Sequence, residues 1–304
     1  MFFWLFAVFF FSLSSFSAFA EDSAESDAPI AHINVIYGTD GRHEISDARE
    51  GWIRSAAKRT FSFFDRDDLK AEGSSFYEVQ GSTLREESNL CGSERFGAQK
   101  QAAFCTGFLV APDLIVSAGH CIKDLKKDCA KMRLVLGYVT SAEDPHGQFV
   151  PKESVYKCAK VIVKKNNETL DFSIIQLDRP VQDRPPLRLR RSGVIPVRSP
   201  VLAIGSPSGV PLKVSRGALV KYVDKKSFWA DIDVFAGSSG SPVFHEKSKW
   251  VEGILVDGVK DYEWNASKKC YTSHRCTMGT YNCDGEKIIS IAEVLPYLGS
   301  KQID

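Results

Sequence analysis

The chain reads as an all-β protein, and three observations carry that reading. Beyond residue 20 its apolar residues fall in short runs, too short for helices of ordinary length. Twenty-two Gly and 13 Pro are spread between those runs, where turns would be needed. Several of those runs read as strands, as in Leu114-Ile115-Val116-Ser117 and Phe172-Ser173-Ile174-Ile175-Gln176-Leu177. A length of 304 residues with 43% hydrophobic content gives room for one large domain or two small ones. The net charge of +1 gives no reason to expect a nucleic acid or an anionic membrane as partner.

Gly237-Ser238-Ser239-Gly240-Ser241-Pro242 organises the rest. Glycines on either side of a serine allow a tight turn that presents the hydroxyl and leaves backbone N–H groups free for a developing oxyanion. A serine needs a base, and a histidine stands upstream in Ser117-Ala118-Gly119-His120-Cys121. Between them Asp171 opens the run Asp171–Leu177. In these three blocks, in the order His, Asp, Ser, the chain resembles the chymotrypsin-like (trypsin-like) serine peptidases, closest to the bacterial glutamyl-endopeptidase-like branch. Val35–Ile45 and Gly253–Gly258 add further echoes. The resemblance spans roughly residues 35–298, and much of 46–100 matches only loosely. It implies two six-stranded antiparallel Greek-key barrels with a C-terminal helix.

Taken in order, residues 1–20 form an apolar run ending Ala18-Phe19-Ala20 and read as a signal peptide, although no Lys or Arg precedes the apolar core. The alternative is an uncleaved membrane anchor. Secretion or transport to a periplasm is therefore expected, with membrane association only if that segment stays uncleaved. Residues 21–34 are acidic and polar and read as a propeptide; the resemblance places a mature N-terminus at Asn34-Val35, making the protein a zymogen. Residues 35–102 read as an extension wrapping the barrels, with helical composition over 46–60 and Ser46 or Asp47 as cap. Phe61, Phe63 and Phe64 lie there in a β-favouring patch, and Cys91 is expected to anchor the polar stretch that follows.

Residues 103–190 carry strand signals at Phe108–Ala111, Leu114–Ser117, Met132–Tyr138, Val161–Lys164 and Phe172–Leu177, the first barrel, with a short basic helix in 122–131. The Arg-rich run 178–200 (Arg179, Arg184, Arg188, Arg190, Arg191, Arg198) reads as an exposed linker in preference to an anion-binding stripe. The second barrel occupies 191–285, with strands at Val201–Ile204, Ala218–Val223, Phe228–Ile232, Ser241–His245 and Val251–Val256. Residues 286–304 form the closing helix and tail, from the helical spacing of Ile288–Leu298.

Histidine, whose ordinary pKa is about 6.5, can take a proton at neutral pH and return it to a leaving amine. His120 is the expected base and Asp171 its orienting carboxylate, preferred over Asp178, which precedes Arg179-Pro180 in a turn-like context. Ser239 is the expected nucleophile; Ser238 and Ser241 are alternatives, but only Ser239 matches the family's nucleophile position. The oxyanion hole would be the N–H groups of Gly237 and Ser239.

Two positions depart from the family. Ser238 stands where the digestive branch has an Asp that binds a new N-terminal ammonium. Leu255 stands where glutamyl endopeptidases have a substrate-binding His, so Glu specificity is not expected. In the substrate pocket, Asp233 lies six residues before Ser239, the spacing of the trypsin-like pocket floor, and Asp257 lies on the facing strand. Either could pair with a basic substrate side chain, or Asp233 could hydrogen-bond backbone at the pocket base.

The eight cysteines fit an oxidising compartment. The resemblance pairs Cys105 with Cys121. Of the six others, Cys129 with Cys158 and one bridge among Cys270, Cys276 and Cys283 are expected. Zinc on those three and His274 is the rival, without the paired CxxC spacing such sites use. No cofactor is implied. The expected protein is a monomeric serine endopeptidase acting on proteins or peptides; a catalytically silent homologue serving as a binding module is the alternative.

Overall fold

The computed structural model describes Met1 and residues 36–257, 261–276 and 283–299; all of the proposed signal peptide but Met1 and the whole of the propeptide lie outside them, as does the Asp257 side chain. Strands β1 (Thr60–Asp65), β2 (Cys105–Ala111), β3 (Leu114–Ser117), β4 (Met132–Leu136), β5 (Val155–Asn166) and β6 (Asp171–Leu177) close the first barrel. Strands β7 (Pro200–Gly205), β8 (Lys213–Val223), β9 (Ser227–Ala230), β10 (Pro242–His245), β11 (Val251–Asp257) and β12 (Glu286–Ser290) close the second. The first runs β1-β2-β3-β6-β5-β4 and back to β1, the second β7-β8-β9-β12-β11-β10 and back to β7, all antiparallel. The two barrels thus share one strand order without a visible sequence repeat. Closure also removes the open edges that would invite pairing with other chains.

The barrels meet along a shared core. Phe108, Val116, Phe172 and Ile174 from the first pack in one cluster with Leu202, Ile204, Phe244 and Ile254 from the second, all essentially inaccessible. The site described below sits on loops that leave this junction.

Three expectations are corrected. The barrel strand β1 falls inside the segment assigned to an extension, because Phe61, Phe63 and Phe64 are all fully buried. With both strand faces covered, the alternation that marks a half-exposed strand is absent. The helix expected over 46–60 runs only Gly51–Ala57, since 44–48 closes into successive turns (Asp47 N–H to Glu44, Ala48 N–H to Ile45). At the C-terminus Ile288 and Ile289 belong to β12, which completes the second barrel beyond residue 285. The rest of the expected closing helix is reduced to 3₁₀ turns at Ile291–Glu293 and Leu295–Tyr297. Pro296 has no N–H for an α-helical bond and disfavours the α conformation at Leu295.

Four disulfides join Cys91 to Cys270, Cys105 to Cys121, Cys129 to Cys158 and Cys276 to Cys283. The first ties the polar stretch around residue 91 to the hairpin Tyr262–Asn265/Cys270–Ser273. The last engages the thiols that a zinc site with His274 would require as ligands. Several arginines of the 178–200 run have partners: Arg190 bonds the buried Glu252, Arg184 bonds Asp183 and the Lys58 carbonyl, and Arg179 bonds the Glu153 and Val155 carbonyls. Those contacts fit a linker strapped to both barrels. Among the described residues no helix is long and apolar enough to cross a membrane.

Candidate active site

His120 leaves the end of β3 at Gly119, where a Cβ would overlap the Lys165 carbonyl oxygen, so only glycine lets the loop turn this close to β5. The Cys105–Cys121 bridge ties the residue after His120 back to the start of β2. Asp171, the first residue of β6, meets this loop with both carboxylate oxygens. Oδ1 accepts the N–H groups of Gly119 (2.6 Å) and His120 (2.9 Å), and Oδ2 lies 2.6 Å from His120 Nδ1. Three contacts therefore fix the carboxylate plane, and the plane fixes the imidazole. Asp178 sits just past the far end of that strand and accepts the Lys157 N–H instead.

The 237–242 turn is built on two left-handed glycines, Gly237 (φ 92°) and Gly240 (φ 89°). Gly240 packs against Thr106 and Ser117, and its N–H donates to the Leu255 carbonyl at 2.7 Å. The Thr106 N–H donates to the Ser239 carbonyl at 2.8 Å, and the Cys121 sulfur lies 3.8 Å from that same oxygen. The Ser239 backbone is thereby held between the two cysteine-bearing segments that flank the histidine loop. Of the three serines, Ser238 and Ser241 are buried at 2% and 0% exposure, whereas Ser239 is only partly covered. Among the described residues neither the Gly237 nor the Ser239 N–H donates a hydrogen bond within the protein, while the intervening Ser238 N–H is used by the Phe235 carbonyl at 3.0 Å. Two unengaged donors on one turn, next to a partly open hydroxyl, are the raw material for binding an oxyanion.

The pocket residues divide. Leu255 is buried in the second barrel's core beside Val234 and Ile288, and no imidazole stands in its place. Asp233 does not face an open pocket. It is 4% exposed and accepts the N–H groups of Tyr37 on Oδ1 and Gly41 on Oδ2, both at 2.6 Å. Burial pushes its carboxyl up to about 6, against the opposing pull of those two amides. The sequence reading missed the segment that supplies them. Ile36–Tyr37 runs parallel to Arg275–Cys276, the Tyr37 hydroxyl donates to Glu286 at 3.3 Å, and Arg42–Glu44 pairs antiparallel with Lys213–Ser215 at the start of β8. Burial beside the Glu286 carboxylate drives the Tyr37 phenol well above its ordinary range. The one available signal was the echo Val35–Ile45, which says that the segment matters without saying what it touches.

Two closed six-stranded barrels with a His–Asp pair on one and a glycine-flanked serine on the other define a chymotrypsin-like peptidase fold. Residues 105–253 match the family model described as a trypsin-like peptidase domain. Residues 105–253 thus carry a trypsin-like peptidase domain, set in a chain with the chymotrypsin-like fold. It is similar in fold to a Glu endopeptidase solved in complex with MPD, with 15% identity over 88% of this chain and 99% of that one and a TM-score of 0.51. The VesB protease of Vibrio cholerae also matches, with 12% identity over 87% of this chain and 66% of that one and a TM-score of 0.48. No curated protein matches the sequence.

Proposed function

We propose that this protein is an exported serine endopeptidase that cleaves peptide bonds through an acyl-enzyme intermediate. The observation that carries the reading is the contact of His120 Nδ1 with Asp171 Oδ2 at 2.6 Å, while Oδ1 is already occupied by two backbone amides. That arrangement keeps the proton on Nδ1 and leaves Nε2 unprotonated, as a general base requires. Ser239 Oγ attacks the peptide carbonyl and gives its proton to Nε2. The Gly237 and Ser239 N–H groups receive the oxyanion, and the imidazolium returns the proton to the departing amine. Water then enters, is deprotonated by the same imidazole, and releases the acid product. Asp171 stays ionised and stabilises the imidazolium throughout.

Four disulfides support an oxidising compartment, secreted or periplasmic, and the protein acts as a monomer on protein or peptide substrates. Fluorophosphonate labelling of the folded protein tests the reading. Wild type should be labelled and Ser239→Ala should not; equal labelling of both would move the nucleophile away from Ser239, and no labelling of the mature chain would favour a binding module.

A further inference from the structure

The loop that would form the oxyanion hole is held from below by a segment remote in sequence. At its start, the Asp233 carboxylate takes the Tyr37 and Gly41 N–H groups at 2.6 Å each, and its peptide carbonyl accepts the Ser215 hydroxyl at 2.6 Å. Two residues on, the Phe235 ring lies under the Arg42 guanidinium, 3.9 Å from its carbon, and tilts against Tyr262 with centroids 5.1 Å apart. Arg42 is itself fixed by Asp40, through Nε to Oδ1 at 2.9 Å and Nη2 to Oδ2 at 2.8 Å. Further along, the Asp261 carboxylate takes the Ala236 N–H, and the Thr106 hydroxyl donates to the Gly237 carbonyl at 2.9 Å. Gly41 is tightly enclosed, since a Cβ there would overlap the Arg216 carbonyl and approach Asp233 Oδ2 to 3.2 Å.

Resting on the peptidase reading above, we propose that Asp233 is a positioning residue that fastens the 37–42 strap beneath loop 235–240 and so holds the Gly237 and Ser239 N–H groups in working geometry. Three features favour this over a role in reading substrate charge. The carboxylate is buried, each oxygen already accepts a short bond from a backbone amide, and the strap donating those bonds covers it. Both donors are internal peptide amides and neither is a chain terminus. The brace is therefore made whether or not the chain is cut ahead of Ile36, and processing there is not what orders the loop.

The test compares wild type, Asp233→Asn and Gly41→Ala. Asn keeps the shape but can offer an acceptor to only one of the two amides. Ala at 41 pushes the strap away from the Arg216 carbonyl while leaving Asp233 and the nucleophile loop chemically unchanged. Each protein is assayed for fluorophosphonate labelling rate, kcat and KM on a peptide library, and hydrogen exchange of the 235–240 amides, with near-UV circular dichroism to identify the native fraction. Both variants should lose at least about tenfold in labelling rate and kcat, with KM nearly unchanged, the same cleavage preference, and at least about tenfold faster exchange in 235–240. The proposal is overturned if Asp233→Asn loses cleavage only after Arg and Lys, or if Gly41→Ala leaves exchange and labelling unchanged. Exchange does not depend on activity, so the brace is judged even if wild type fails to label, a result that would count against the peptidase reading alone. Should Asp233→Asn not fold, Gly41→Ala decides on the same readouts. Uncut full-length chain and chain beginning at Val35 should label at rates within about twofold of one another; a tenfold advantage for the cut form would refute independence from processing.

Discussion

Asp171→Asn isolates what the orienting carboxylate does, and its outcome follows from three short contacts. In the native site Oδ1 faces the Gly119 and His120 N–H groups and Oδ2 faces His120 Nδ1. An asparagine must direct its oxygen to one side and its NH₂ to the other. Placing NH₂ against two backbone donors would leave both amides unsatisfied and force three N–H groups together, at about 1–3 kcal/mol for each lost acceptor. The carboxamide oxygen therefore takes the Oδ1 position, and NH₂ points at Nδ1. Nδ1 must then act as acceptor, which moves the imidazole proton to Nε2, where it can no longer accept from Ser239. Wrong-tautomer substitution of this kind costs about 10⁴ in kcat, roughly 5.5 kcal/mol of transition-state stabilisation, while folding is almost untouched because every bond keeps a partner. The assay is kcat/KM on a cleaved peptide, with the fluorophosphonate labelling rate measured beside it and thermal unfolding as the structural control. A loss below about tenfold with unchanged unfolding would refute both the tautomer argument and the role given to His120. A comparable loss accompanied by unfolding several degrees lower would show that Asp171 acts by holding the loop and not by holding the proton.

Two further perturbations test how the site is supported. Gly240→Ala meets a left-handed backbone, at about 1–2 kcal/mol, and overpacking against Thr106 and Ser117, at about 1–3 kcal/mol. A destabilisation of about 2–5 kcal/mol in urea unfolding is expected, and a value under 1 kcal/mol would mean that the nucleophile turn is not clamped to the first barrel. Lys213 is fully buried beneath the strap, its Nζ donating to the Pro211 carbonyl at 2.6 Å and lying 3.2 Å from Glu44 Oε2; burial lowers its ammonium to about 8, against Glu44, which raises it. A base whose folded pKa lies below its unfolded value, about 10.4, leaves the unfolded state holding more protons between those limits, so its contribution to stability rises with pH across that window. Lys213→Met removes this slope, so the stability of the variant relative to wild type should fall from pH 8 to pH 10.5, and a pH-independent difference would show that the ammonium is not held at a lowered pKa.

How much could be read in the sequence depends on whether a residue's partner is local. The His120 loop and the 237–242 turn are local objects: glycines that only those turns need, a cysteine that pins one of them, and apolar runs that deliver both. Ten of the twelve barrel strands announce themselves for the same reason, by β-branched runs bounded by turn residues. The two that do not are instructive. β1 is buried on both faces and so loses its alternation, while β12 continues into Ile291–Leu298 with an apolar spacing that mimics a helix until Pro296 interrupts it. Asp233 illustrates the sharper limit. Its six-residue spacing from Ser239 places the carboxylate beside the candidate site, but spacing along one strand says nothing about what crosses it. The Tyr37 and Gly41 amides arrive from nearly 200 positions away. They convert a residue with the spacing of a specificity determinant into a tether, because an amide N–H pressed to 2.6 Å satisfies a buried carboxylate that would otherwise need a cation. The chain thus settles a buried charge with backbone donors, and the same bonds fix the strap beneath the loop where the oxyanion would form.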